Sequence, residues 1–240
     1  MIGTEKESDD QRNWRLNTSG ADALVASNKQ VFFCDETGVN LLALNRLYGY
    51  SKRGTRVVAA RGSQHSVRGP NVSVIIGVGT QKGVIATHML SGDVKDQAKR
   101  GKSQQKARVR RRGTNRNDFC HFLRRRMFPA MLESAAASGL NDGELLYLVM
   151  DNASIHKGAP VQELLNLAQF DRIRIVYQPP YMPNVHPTEW VNGLLKRKLR
   201  RADPCCVVKS TAELKKRIEE TLVSVEAVRG YYKRCGWWGN

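Results

Sequence analysis

Residues 145–156 read LLYLVMDNASIH, and this stretch decides the fold. Leu145 to Met150 is an unbroken apolar run. A strand without alternation is buried on both faces, which marks a central strand in a sheet covered by helices. The run stops at Asp151, so the sheet delivers a carboxylate to its own edge. Taken alone, Asp151-Asn152 ahead of Ser154 reads equally as an Asx turn.

Working outward, the stretch VFFCDETG at 31–38 repeats the pattern: an apolar strand from Val31 to Glu36 carries Asp35 near its carboxyl end. On its own, Asp35 is as readily a turn or cap residue. Strands follow at Val72 to Gly79 and Val84 to Leu90, with Gln81-Lys82-Gly83 as the turn of an antiparallel hairpin. A helix from about Asn117 to Ala137 puts Phe119, Phe122, Leu123 and Met127 on one side, with a kink expected at Pro129. A helix near Pro160 to Ala168, a strand from Ile173 to Tyr177 and a helix from Thr188 to Arg201 come next. The last helix opens at Ser210 with a capping box to Glu213 and repeats Leu214, Ile218, Leu222 and Val225 at core spacing. This order predicts an α/β fold, a mixed sheet flanked by helices. Its first and fourth strands can lie parallel and adjacent, bringing Asp35 beside Asp151.

The chain has 240 residues, 41% of them apolar, enough for one well-buried domain. Residues 1–30 read as a polar lead-in with a helix-like Arg12, Trp14 and Leu16 patch. Residues 31–202 read as the core, and 203–240 as a helical extension of the same domain. The stretch at 41–57 is a basic, aromatic loop or short helix. Residues 93–117 carry almost no apolar side chains and predict a mobile basic loop.

Thirty-nine Lys and Arg against 22 Asp and Glu leave a net charge of +17. That charge points to a polyanion, because each neutralised phosphate releases counterions. A merely well-solvated surface is the bland alternative. Arg108, Arg110, Arg111 and Arg112 are candidate DNA contacts, and a nuclear-localisation signal is their rival. The five cysteines form neither ligand-spaced pairs nor a secreted framework, which fits a reducing interior compartment. No apolar run approaches membrane-spanning length, and MIGTEKESDD is no signal peptide.

A third carboxylate sits in QPPYMPNVHPTEW, residues 178–190, where a proline-rich turn leads into a helix at Glu189. Helical phase groups Trp190, Val191, Leu194, Leu195 and Leu199 as an apolar stripe. Glu189 falls opposite, with Asn192, Lys196 and Arg200, so Lys196 and Arg200 join the candidate DNA contacts. An ordinary first-turn glutamate on a solvated face is the bland reading. Three carboxylates meeting at one sheet edge can hold two Mg²⁺ ions, with Mn²⁺ able to substitute, and such a pair can cut or rejoin a phosphodiester. No His or Cys cluster competes for a softer metal.

Together these residues resemble the catalytic core of mariner-type cut-and-paste transposases and their bacterial insertion-sequence relatives. The resemblance runs through Arg12, Trp14 and VFFCDETG, then YGYSKRGTR at 48–56, then Asp151-Asn152-Ala153 with His156. It ends with PPYMPNVHPTE at 179–189 and Leu195-Lys196. It implies a ribonuclease-H-like fold, Asp35, Asp151 and Glu189 as catalytic and metal-binding residues, and Asn152 and His156 as site-supporting ones. It also implies double-stranded DNA, as transposon ends and target, a homodimer, and action in a nucleus or nucleoid according to host. Met182, His186, Thr188 and Asn192 depart from the family pattern, and the interval from Asp151 to Glu189 is longer than usual. Relatives also carry an N-terminal helix-turn-helix region for which this chain has no room. The expectation is therefore an isolated core, a truncated relic, or a split subunit with end recognition supplied separately. Two alternatives stay open: a transposase-derived DNA-binding protein without catalysis, and a ribonuclease-H-type nuclease.

Overall fold

The structure is a computed structural model that describes residues 30–45, 49–58, 71–91, 113–178, 186–202, 208, 210–225 and 228–237. Among these residues lie strands β1 (Val31–Val39), β2 (Val72–Gly79), β3 (Gly83–Ser91), β4 (Leu146–Met150) and β5 (Ile173–Tyr177). They form one sheet in the order β3-β2-β1-β4-β5. β1–β2 and β2–β3 pair antiparallel, whereas β1–β4 and β4–β5 pair parallel. This mixed sheet matches the fold class expected from the sequence.

β1 is longer than expected. Beyond the expected end at Glu36, Thr37 and Val39 continue the buried alternation and pair with Val74 and Val72 of β2. Asp35 therefore sits inside a strand rather than at its end. Strand period two sends Phe33 and Asp35 to one face and Phe32, Cys34 and Glu36 to the other.

Each face is covered. Helices α4 (Pro187–Ala202), α5 (Thr211–Val223) and α6 (Arg229–Arg234) pack Val191, Leu195, Ile218 and Tyr232 into one core with Val31, Phe33 and Val149. The opposite face packs Phe32, Cys34, Leu148 and Met150 against Phe119, Phe122, Leu123, Met127 and Met131. Those last residues come from helices α1 (Arg116–Phe122) and α2 (Phe128–Ala137) and the turn that joins them. α1 starts at a capping box between Asn115 and Asp118.

The expected kink at Pro129 takes a specific form. Proline has no N–H to donate one turn back, so the helix loosens just ahead of it. Leu123–Met127 form a π-helical turn in which the Phe128 N–H reaches the carbonyl of Leu123. α5 opens at the Ser210–Glu213 capping box read from the sequence. The remaining helix, α3 (Ala159–Leu165), follows Gly158, whose φ of 112° lets the chain reverse after β4. No helix among the described residues is long and apolar enough to cross a membrane.

Candidate active site

β1 and β4 run parallel with Phe33 opposite Val149. Continuing that register two residues sets Asp35, on the face covered by α4, opposite Asp151, which lies one residue past the end of β4. Helix α4 brings Glu189 in its first turn and Asn192 one turn later. Asn192 is buried and donates from Nδ2 to Asp35 Oδ2 at 3.0 Å. The Glu36 amide donates to Asp35 Oδ1 at 2.8 Å. Glu189 is exposed, and its side chain makes no hydrogen bond among the described residues.

The electrostatics link the three acids. Burial raises the Asp35 carboxyl, and the nearby Glu189 charge raises it further; Glu36 and Asp151 add to this, partly offset by the Glu36 N–H, and its pKa reaches about 7. The edge thus concentrates more negative charge than it neutralises. Among the described residues, no three His, Cys, Asp or Glu groups stand as a closed ligand set. The acids share an edge, but their oxygens have not closed around one point.

The donor chemistry nevertheless suits a hard divalent cation. The three carboxylates offer oxygen donors, and the imidazole bonded to Asp151, that of His156, is already engaged. His156 is fully buried and lies between two acids. Its Nδ1 stands 2.6 Å from Asp151 Oδ1, and its Nε2 stands 3.0 Å from Glu36 Oε1. Phe119 flanks the ring at 4.2 Å between centroids, and the Tyr177 hydroxyl donates to the His156 carbonyl at 2.8 Å. Burial alone would lower the imidazole; the hydrogen bonds to Asp151 and Glu36 outweigh it and raise its pKa to about 10. The same hydrogen bond holds the Asp151 carboxyl below its ordinary value. The Asx-turn reading of Asp151 is also realised, since the Ala153 amide donates to its Oδ1 at 3.2 Å.

Several expected residues stand elsewhere. Asn152 is exposed with no hydrogen-bond partner among the described residues. Asn192 is not on a solvated face but buried against Asp35, and Trp190 leaves the apolar stripe to stand 41% exposed. Arg200 is half-buried and donates from Nε to the Ala43 carbonyl at 3.0 Å. Lys196 is half-buried on α4. Arg108, Arg110, Arg111 and Arg112 lie outside the described residues. Glu36 was overlooked. Its signal was strand alternation, which sends the second acid of Asp35-Glu36 to the face where His156 arrives.

A parallel β1–β4 pair flanked by an antiparallel hairpin, with one acid within β1, one just past β4 and one in the first turn of α4, defines a ribonuclease-H-like core. Residues 100–207, a little under half of the chain, match the family model described as DDE superfamily endonuclease. Solved structures of Mos1 transposase share the fold. A pre-cleavage Mos1 transpososome aligns with a TM-score of 0.59 at 13% identity, over 98% of this chain and 62% of that one. A Mos1 mariner paired-end complex with Mn gives 0.58 at 15% identity over the same shares. The isolated catalytic domain of Mos1 mariner transposase gives 0.53 at 12% identity, over 98% of this chain and 91% of that one. The chain thus spans under two thirds of the Mos1 protein in those assemblies and nearly all of its catalytic domain. No curated protein matches it in sequence. The fold is the one seen in the catalytic domain of Mos1 mariner transposase.

Proposed function

We propose that this chain cleaves and joins DNA strands in cut-and-paste transposition, using Asp35, Asp151 and Glu189 as its carboxylate triad. The observation that carries the reading is the gathering of these acids at one sheet edge, where burial first, and then the nearby Glu189, Glu36 and Asp151 charges, raise Asp35 to about 7. Mg²⁺ or Mn²⁺ held by the triad would supply the charge that activates an attacking oxygen and stabilises a leaving one. The protein's own groups do the positioning. Asn192 orients Asp35 from the helix side. His156 and Glu36 fix the Asp151 carboxylate from beneath the sheet.

The substrate is duplex DNA, attracted by the +17 chain. Paired-end complexes of Mos1 support a reading in which two copies engage two transposon ends, with end recognition supplied by another region or subunit. Such a protein acts inside the cell, in nucleus or nucleoid according to host.

The test is nicking of supercoiled plasmid in Mg²⁺ or Mn²⁺, with Asp35→Ala, Asp151→Asn and Glu189→Ala. Each variant should lose nicking and keep most of its plasmid affinity, since the basic surface supplies binding. Near wild-type cleavage by Glu189→Ala would refute the triad. Tight binding with no nicking by the wild type would leave a DNA-binding protein without catalysis.

A further inference from the structure

We infer that Trp190, Tyr231 and Arg234 form a stacking ledge for an unpaired base of the DNA strand held at the carboxylates. The inference rests on the strand-cleavage reading of Asp35, Asp151 and Glu189. Trp190 directly follows Glu189, so its place is tied to the triad by one peptide unit. Its neighbour Val191 is fully buried, yet Trp190 is 41% exposed. Core packing does not explain it. Its ring lies nearly parallel to that of Tyr231, 14° apart with centroids at 6.1 Å, and the Arg234 guanidinium stands 5.2 Å over it.

The ledge is anchored to the strands that build the site. Tyr232, between the two α6 partners, is fully buried and donates its hydroxyl to the Val31 and Val78 carbonyls at 3.2 Å each. Its ring also packs edge-on against Phe33, two residues before Asp35. The helix that carries Tyr231 and Arg234 is therefore held against the strand that carries Asp35.

The charges fit a nucleic acid strand. Arg229, Lys233 and Arg234 are all exposed on α6. Arg234 pairs with no carboxylate among the described residues, so its charge is open to a phosphate. Base–aromatic stacking is sequence-tolerant and favours bases that are not already stacked in a duplex. A cation beside the ring adds to it. The ledge therefore discriminates by strand state: it takes a base freed at a frayed or cut end and ignores intact duplex.

The test measures binding of the full chain, in EDTA, to three labelled DNAs: a blunt duplex, the same duplex with a five-nucleotide single-stranded extension, and one whose extension lacks bases. The wild type should bind the base-bearing extension about tenfold more tightly than the blunt end, the gain expected of one good stacking contact. The abasic extension should lose most of that gain. Trp190→Ala should bring the ratio to about one with blunt-end affinity unchanged, and Trp190→Phe should retain most of it. If Trp190→Ala fails to fold, Tyr231→Leu and Arg234→Gln read the same ratio. An undiminished extension preference in folded Trp190→Ala, or in both substitutes, overturns the ledge. The two readings separate cleanly. Metal-dependent nicking abolished by Asp151→Asn but no Trp190-dependent ratio sinks the ledge alone; no nicking by the wild type sinks the reading beneath it.

Discussion

Asp35 and Glu36 are adjacent in sequence and opposite in duty. Alternation along β1 turns Asp35 toward α4 and Asn192, and Glu36 toward His156 on the other face. Glu36→Gln removes one of the two anions that hold the imidazole and leaves Asp151 fixed by a weaker partner. Outer partners of ligating side chains are commonly worth about 10–100-fold in metal affinity or activity. The expected outcome is a loss of nicking in that range with plasmid affinity unchanged, scored by nicking rates and filter binding. Wild-type nicking by Glu36→Gln would mean that His156 needs no second carboxylate. His186 gives a pH signature. Burial lowers it to about 3, so the unfolded chain binds a proton that the folded chain refuses between pH 6.5 and about 3. This contribution to stability is present above pH 6.5 and is lost as pH falls, by roughly 1.4 kcal/mol per unit. Asp35, raised to about 7, acts with the opposite sign over part of that window, losing stability as pH rises. The measurement is therefore a difference: urea unfolding of wild type and His186→Asn at pH 7 and pH 5. Wild type should lose about 2 kcal/mol more than the variant on acidification. Equal losses would show His186 titrating as a solvent-exposed group. At this scale Asp151 and Glu189 stand out in the sequence because one ends an apolar run and the other follows a proline-rich turn, whereas Asp35 lies within a strand that continues past it. Asn192 and Glu36 do not stand out, since a contact across the sheet depends on which strands become neighbours.

Elements were legible where periodicity was strong and blurred where a local exception intervened. The run Leu145 to Met150 reads directly as β4, and the Ser210–Glu213 box as the start of α5. β1 was cut short because Asp35, Glu36 and Gly38 are poor strand formers in isolation. Pairing with β2 carries the strand through them, since tertiary context overrides propensity. The π-helical turn at Leu123–Met127 could not be read at all, because a proline predicts a disturbance but not its form. That turn presses Met127 against β2 at Gly77, opposite Cys34 and beside the bulge at Gly77/Val78. A Cβ at 77 would collide with the Met127 sulfur. Gly77→Ala should therefore destabilise the fold by about 1–3 kcal/mol, as overpacking usually does. Pairing it with Met127→Ala should recover part of that loss by giving the methyl room. Denaturant melts of the two single variants and the double variant decide the matter. Additive losses would mean that the two sites do not touch.

Across the whole molecule the fold and the charge divide the work. Strand and helix patterning gives the mixed sheet, its hairpin and the β1–β4 neighbours, while the full strand order and the two apolar cores depend on the folded chain. The surplus of 17 positive charges cannot be buried in those cores and must meet solvent or a polyanion. It is densest between Lys95 and Arg116, a stretch whose only acid is Asp96 and which has almost no apolar side chain to contribute to a core. We propose that this stretch adds affinity for duplex DNA without reading its sequence. If Arg108, Arg110, Arg111 and Arg112 each neutralise one phosphate, replacing all four by Ala removes four released counterions. The dependence of log affinity on log salt should then flatten by about 3 to 4, and affinity at low salt should fall. Any two unrelated duplexes should be affected equally, because phosphate contacts position a protein and carry no sequence information. Folding stability should change by no more than about 0.5 kcal/mol, the usual range for surface substitutions. Fluorescence anisotropy across a salt series, with two duplexes of different sequence, measures all of this but stability. A slope unchanged from wild type would assign DNA binding to other cations, with Arg229, Lys233 and Arg234 on α6 the next to test.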